Sequence, residues 1–100
     1  MLIKRFFVIR DQGVIFAHTA DLSWDYNKFG PVYLIINDLK IFCRYIAIGT
    51  LKDDEFIVVL KPNDKNYSLE DLYKIQHGEI YRIELFRAGK SEEQGSGLES

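Results

Sequence analysis

Cysteine, proline and histidine are scarce in this chain of 100 residues, which holds one Cys, two Pro and two His. A single cysteine, Cys43, cannot form an internal disulfide, so a reducing compartment is the simpler expectation and we predict a cytoplasmic protein. The cysteine and the two histidines are also far apart, without the Cys-x-x-Cys or His-x₃-His spacing typical of metal sites. We therefore predict no metal ion and no cofactor.

Long apolar runs and an excess of one charge are lacking as well. No apolar stretch approaches the roughly 20 residues of a membrane-spanning helix, and the apolar segment near the N-terminus ends at Arg10 without a cleavage site. Residues 1–89 carry twelve basic and twelve acidic side chains. A neutral body lacks the basic face that nucleic-acid binding normally needs, so we predict neither a membrane nor a nucleic-acid partner.

What the chain does contain is a series of hairpin patterns rich in aromatic residues: seven Phe, six Tyr and one Trp. Strands over residues 2–9 and 14–18 are predicted to flank a three-residue loop, with Ile9 beside Ile15. Residues 31–43 predict a second hairpin, and its turn sets Ile36 opposite Leu39.

A third hairpin is predicted to turn at Asp53 and Asp54, and one helix is predicted over residues 69–76. Ser68 is a natural N-cap, and Asp71 stands at the third helical position. The fold class is therefore α+β: a mostly antiparallel sheet of about six or seven strands built from hairpins, with one short helix before the last strand. The count is six if the fourth and fifth strands form one bent strand.

The domain organisation follows from composition. We predict a single β-rich domain over residues 1–88 and a disordered polar tail over residues 89–100, whose last residues resemble an expression remnant. Catalytic groups do not converge in the sequence. Cys43 falls on the core face of the second hairpin, where it acts as a small buried hydrophobe, and we predict no enzyme.

The long connection over residues 19–30 has the composition of a binding patch, because large rings alternate there with hydrogen-bonding groups. Two interpretations stay open. Trp24, Tyr26 and Phe29 either fold back over the sheet and close a small core, or form a partner surface. In the second case the carboxylates of Asp21 and Asp25 favour a basic partner.

At this loop and the strand after it, residues 25–38 (DYNKFGPVYLIIND) resemble small immunity proteins of bacterial contact-dependent and polymorphic toxin systems. Several of those combine a loop ending in Gly, an apolar strand and a turn that begins with Asn. The resemblance implies a protein that neutralises a cognate toxin domain by binding it. It assigns toxin contact to eight residues: Asp21, Trp24, Asp25, Tyr26, Phe29, Asp53, Asp54 and Glu55.

Two alternatives remain. Open sheet edges invite pairing, which would give a self-assembling structural or accessory subunit, for example a viral one, or an edge-strand homodimer. The other alternative is a small-ligand or enzymatic site under the helix that uses His18, His77 or Tyr73. The sequence determines neither the strand order nor the oligomeric state.

Overall fold

The computed structural model describes residues 1–89 and contains six strands and one helix. In chain order the elements are β1 (Arg5–Ile9), β2 (Val14–Thr19), β3 (Gly30–Ile36), β4 (Leu39–Lys52), β5 (Glu55–Pro62), α1 (Leu69–Gln76) and β6 (Ile83–Arg87). The strands form one antiparallel sheet in the order β1-β2-β5-β4-β3-β6. The predicted α+β class, with a helix before the last strand, is confirmed. Apart from Gly89, the predicted tail lies outside the described residues.

The β3–β4 hairpin has the register that its apolar alternation predicts, with Ile36 opposite Leu39. Asn37 starts the turn at a φ of 57°, a left-handed conformation that Asn tolerates better than most residues. Its amide also fastens the segment before β6, because Nδ2 donates to the carbonyl of Glu79 and Oδ1 accepts from the N–H of Tyr81, both at 2.9 Å.

β4 is one strand of 14 residues, so the predicted fourth and fifth strands are continuous. Its pairing with β5 begins at Lys52 opposite Glu55, which agrees with the predicted turn at Asp53 and Asp54. Irregularities between Tyr45 and Ala47 and between Thr50 and Lys52 then shift the register. Such bulges add a residue to one strand only and bend it, which lets a long strand follow a strongly curved sheet.

The first hairpin is one residue out of its predicted register, since Ile9 pairs with Val14 and not with Ile15. The carbonyl of Ile9 accepts from the N–H groups of both Gln12 (3.2 Å) and Gly13 (2.9 Å). The turn therefore includes Arg10 and has four residues, one more than the predicted three-residue loop. Gly13 has the expected positive φ, 69°.

The first three residues pair with β6 and close the sheet. The N–H of Met1 donates to the carbonyl of Leu85 at 3.0 Å, and Leu85 returns the bond at 2.9 Å. Ile3 donates to the carbonyl of Ile83 at 3.2 Å. The predicted strand over residues 2–9 is thus divided: its first residues pair with β6, and β1 pairs with β2.

The helix α1 covers the outer edge of β1. Ser68 and Asp71 form the predicted capping box, and Leu72 is completely buried. The Gln76 side-chain carbonyl accepts the backbone N–H of Val8 at 2.7 Å. Among the described residues, β1 and β6 therefore both have neighbours on their outer sides, and an edge-strand homodimer gains no support from them.

The core fills the inside of the closed sheet and consists of apolar side chains from every strand and from α1. Cys43 is fully buried there, as predicted. The completely buried apolar members are Ile15, Ala17, Val32, Leu34, Ile36, Ile41, Cys43, Val58, Leu60, Leu72 and Leu85. The connection between β2 and β3 packs on this core near Thr19, whereas α1 packs near Gly13, at the other end of the β1–β2 hairpin.

We predict that Gln76→Leu lowers the free energy of unfolding by about 1–3 kcal/mol, because it leaves the buried N–H of Val8 without an acceptor. Urea-induced unfolding would measure the loss. Lys74→Leu is the matched control: it makes a similar change at an exposed position of the same helix. Equal stability of the two variants would contradict the role given to Gln76.

Candidate partner-binding surface

Arg87, at the end of β6, holds the loop between β2 and β3 in place. Its guanidinium donates to the carbonyls of Asp25, at 2.6 Å, and Lys28. The same group lies 4.2 Å from the centre of the Trp24 ring, within the range of a cation–π contact. Burial lowers the pKa of Arg87, but an arginine remains charged at neutral pH. The loop is therefore tied to a strand some sixty residues away in the sequence.

Trp24 and Tyr26 point inward and pack against the core. The Tyr26 ring lies 4.5 Å from the ring of Phe56, and its hydroxyl donates to the carbonyl of Asp21 at 2.5 Å. Tyr45 in turn donates to the carbonyl of Tyr26 at 2.9 Å. Burial raises the pKa of both tyrosines. This arrangement matches the first of the two interpretations of the loop, a cover over the sheet; toxin contact by these two residues stays a prediction.

Phe29 and Asp25 are exposed, unlike Trp24 and Tyr26. The Phe29 ring is 51% exposed and borders a shallow cleft together with Lys28 and Arg44. The side chain of Asp25 is exposed and accepts the N–H of Asn27 at 3.2 Å. The predicted loop patch is therefore not one continuous exposed surface. Trp24 and Tyr26 pack on the core, whereas Asp25 and Phe29 are exposed.

Asp21 borders an apolar cleft of about 430 Å³ between the first residues of the chain and the start of the loop. The cleft is lined by Leu2, Ile3, Lys4, Ala20 and Asp21. One oxygen of the Asp21 carboxylate accepts from the hydroxyl of Ser23 at 2.5 Å and from its N–H at 3.0 Å. These bonds lower the pKa of Asp21, which keeps it charged at neutral pH.

The second predicted acidic patch borders a separate shallow cleft with Lys52, next to the first cleft. Lys4 lines the first cleft, and its Nζ lies 3.2 Å from Oε2 of Glu55. Asp53 and Asp54, the two residues before Glu55, form the exposed tip of the β4–β5 hairpin. We call this combined surface the acidic cleft: Leu2, Ile3, Lys4, Ala20, Asp21, Asp53, Asp54 and Glu55. Two patches that lie thirty residues apart in sequence are thus joined by the Lys4–Glu55 ion pair.

The contact between the side chains of His18 and Glu55 was not predicted from the sequence. His18 is 3% exposed, and its Nε2 lies 2.6 Å from Oε1 of Glu55. The Nε of Arg5 donates to Nδ1 at 3.2 Å. Because Nδ1 is then the acceptor, we assign the proton of a neutral imidazole to Nε2, which donates to Glu55. Only the pairing of β2 with β5 reveals this contact.

The groups proposed for catalysis or ligand binding are not brought together. His77 lies against Tyr73 on the helix, with ring centres 4.5 Å apart, whereas His18 is bound to Glu55. Burial raises the pKa of Cys43 to about 12, so its thiol is not ionised at neutral pH. Within residues 1–89 there is no group of three or more His, Cys, Asp or Glu that could hold a metal ion.

Comparisons of the chain with protein-family models, with curated proteins and with solved structures find no match. In the part of the chain that the structure describes, no helix is both long and apolar enough to cross a membrane. Functional inference therefore starts from the geometry of the surface.

We expect Trp24→Ala to lower the free energy of unfolding by about 2–3 kcal/mol, since it removes a ring that packs on the core. Phe29→Ala, a change of the same kind at an exposed ring of the same loop, should cost less than about 1 kcal/mol. Urea-induced unfolding of the two variants tests the difference. If the Trp24 variant were as stable as the wild type, the ring would not contribute to the core, and the partner-surface interpretation would be favoured.

A second expectation concerns acid stability. The hydrogen bond from His18, followed by that from Lys4, lowers the pKa of Glu55 below its ordinary value of 4.5. A depressed carboxylate pKa stabilises the fold above the unfolded value, and that contribution is lost as the pH falls through the folded pKa. Glu55→Gln should therefore reduce the loss of stability below about pH 4.5.

The urea midpoint measured from pH 7 to pH 3 checks this expectation. Asp21 and Asp71, whose pKa values are lowered too, should leave a residual slope in the variant. Asp54→Asn, one residue away on the exposed turn, is the control. An acid slope that Glu55→Gln and Asp54→Asn change equally would show that the His18–Glu55 pair does not contribute to it.

Proposed function

We propose that this chain is a protein-binding module that acts without catalysis, and that its partner binds at the acidic cleft. The observation that carries the proposal is the ion pair of Lys4 with Glu55, which joins the apolar cleft beside Asp21 to the second predicted acidic patch. Specific interfaces combine an apolar centre with a polar rim, and the acidic cleft has both parts.

The apolar part of this surface is unusually exposed. Leu2 is 67% exposed and lines the cleft, and Leu22, the residue after Asp21, is 64% exposed. The backbone of Leu2 is held in the sheet by its bridge to Glu84. An exposed leucine on a fixed backbone beside a cleft can be buried by a partner at little cost in conformational entropy.

The charged part of the surface favours a basic partner. The carboxylates are those of Asp21, Asp53, Asp54 and Glu55. The two nearby lysines, Lys4 and Lys52, both pair with Glu55, at 3.2 and 3.8 Å. Asp53 and Asp54 form no salt bridge with any residue from 1 to 89. Unpaired carboxylates at a rim steer a cationic partner and select against an acidic one.

Within this class, we propose an immunity protein that neutralises a cognate bacterial toxin by binding it. Support comes from the resemblance of residues 25–38 to such proteins and from the acidic cleft. A toxin that acts on an anionic substrate needs a basic groove, and an acidic apolar surface is suited to occupy such a groove.

The test is affinity capture with the full chain as bait in a lysate of its source organism, followed by growth assays of the captured protein. We expect one stoichiometric partner, lost with the double variant Leu2→Ser and Asp21→Asn and kept with Ile46→Ser. Ile46 is the matched control because it is an exposed apolar residue, on β4, that does not line the acidic cleft.

The captured protein, expressed alone, should arrest growth, and co-expression with the wild-type chain should restore it. A partner that binds the double variant as well as the wild type would contradict the assignment of the acidic cleft. A partner that has no effect on growth would contradict the immunity function while leaving the protein-binding module in place.

A further inference from the structure

A second surface lies on the outer face of β6, β3 and β4 and carries a row of aromatic side chains. Phe86, Tyr33 and Phe42 occupy directly paired positions on these three adjacent strands. Phe86 is 46% exposed, and the Tyr33 and Phe42 rings meet edge to face at 5.4 Å. At a spacing of about 4.8 Å between strands, the row spans about 10 Å.

Cationic side chains flank this row on the same outward face. Lys40 and Arg44 stand on β4, two residues before and two residues after Phe42, and both are exposed. The Nζ of Lys40 lies 4.2 Å from the centre of the Tyr33 ring. Neither cation forms a salt bridge with any described carboxylate. Their separation along the strand is about 13 Å.

Two shallow clefts connect the row to the exposed ring of the loop. One, of about 390 Å³, is bordered by Tyr33, Lys40 and Phe86, and the other, of about 250 Å³, by Phe29 and Arg44. Both clefts also include Arg87 in their walls, so they adjoin one another. The second adds the exposed Lys28, and no acidic residue lines it.

We propose that this surface, the aromatic face, binds single-stranded RNA. Its members are Lys28, Phe29, Tyr33, Lys40, Phe42, Arg44 and Phe86. Single-stranded nucleic acids are bound by aromatic rings on which bases stack, together with cations that follow the backbone. The exposed rings Phe29 and Phe86 supply the stacking surfaces, and the three unpaired cations contact phosphates.

The choice of RNA rests on Asp38, the one acidic residue that lines the larger cleft. Its Oδ2 already accepts the hydroxyl of Tyr81 at 2.9 Å, and its other oxygen is available as an acceptor at the edge of a cationic surface. A carboxylate repels phosphate but accepts a hydrogen bond from a ribose 2′-hydroxyl, which DNA lacks. The neutral total charge predicted no nucleic-acid partner; the proposal reverses that expectation because Lys28, Lys40 and Arg44, which form no salt bridge with a described carboxylate, lie around one row of rings.

The experiment uses the full chain and a fluorescently labelled oligo(U) of about 12 nucleotides, within the usual site sizes of such surfaces. Anisotropy titrations at different salt concentrations measure the dissociation constant. Each phosphate contact on a single strand contributes about −0.7 to the logarithmic salt slope. Three contacts should therefore weaken binding about 20-fold between 50 and 200 mM salt.

Matched variants separate stacking from charge. Phe86→Ala should weaken binding about 5- to 150-fold, the range expected for the loss of one stacked base. Phe7→Ala, at an exposed ring on β1, should leave it unchanged. Lys40→Gln should reduce the salt dependence to about 7-fold, and the exposed Lys65→Gln should not alter it. Thermal unfolding of each variant confirms that it is folded.

Several results would overturn the proposal. Absence of binding at 50 mM salt excludes an RNA site, and equal losses for Phe86→Ala and Phe7→Ala exclude stacking on the aromatic face. Equal affinity for oligo(dU) excludes the role of the ribose hydroxyl. Displacement of the RNA by an equal concentration of polyglutamate would instead assign the face to an acidic protein. Asp21→Asn should leave RNA binding intact, which keeps this test separate from that of the acidic cleft.

Discussion

Pairing of the first three residues with β6 is the contact on which the other features of this molecule depend. Without it the β6 edge of the sheet would be open and would expose unpaired N–H and carbonyl groups to other chains. The bonds of Met1 and Ile3 to β6, together with Gln76 over Val8, satisfy groups at both edges. Bonds to the end of β2, from the Thr19 hydroxyl to the carbonyl of Leu2 at 2.7 Å and from the N–H of Lys4 to the carbonyl of His18 at 2.8 Å, hold the same segment at the cleft.

The charged side chains are unevenly distributed over the surface, although the net charge of residues 1–89 is zero. Long-range attraction depends on where charges stand, and interactions beyond about 8–10 Å are screened at physiological salt. The carboxylates of Asp53 and Asp54 lie at a hairpin tip, whereas Lys40 and Arg44 project from the middle of the outer face of the sheet. The hairpin tip therefore carries negative charge and the outer face of the sheet carries positive charge. A protein of low net charge can in this way have two surfaces that favour partners of opposite charge.

Sequence patterns predicted the parts of the fold that are determined by interactions between residues close together in the chain. The β3–β4 register follows from alternation and from a turn that begins with Asn37, and the capping box follows from Ser68 and Asp71. The first hairpin was misplaced by one residue, because turns of three and four residues cannot be distinguished when Gly13 suits both. Bulges in β4 respond to the curvature of the whole sheet, which no local pattern encodes.

The surroundings of the candidate site residues were predicted less completely, for a related reason. Its acidic residues could be found by composition, but their environment is set by partners distant in sequence. His18 meets Glu55 only because β2 and β5 are neighbours, and Trp24 turns inward under the guanidinium of Arg87. Sequence reasoning could identify rings and carboxylates in the loop, whereas deciding which of them face solvent required the strand order.

The closed sheet also determines how recognition at the acidic cleft can work. The backbone of Leu2 is held by the sheet and the carboxylate of Asp21 by Ser23, so the cleft needs little reorganisation before a partner binds. Preorganised surfaces lose less conformational entropy on association, and small interfaces can then reach useful affinity. Since Leu2 and Lys4 belong to the segment that closes the sheet, a partner that binds the folded state there also stabilises the closure. The binding that we propose at this surface and the stability of the fold are therefore thermodynamically linked.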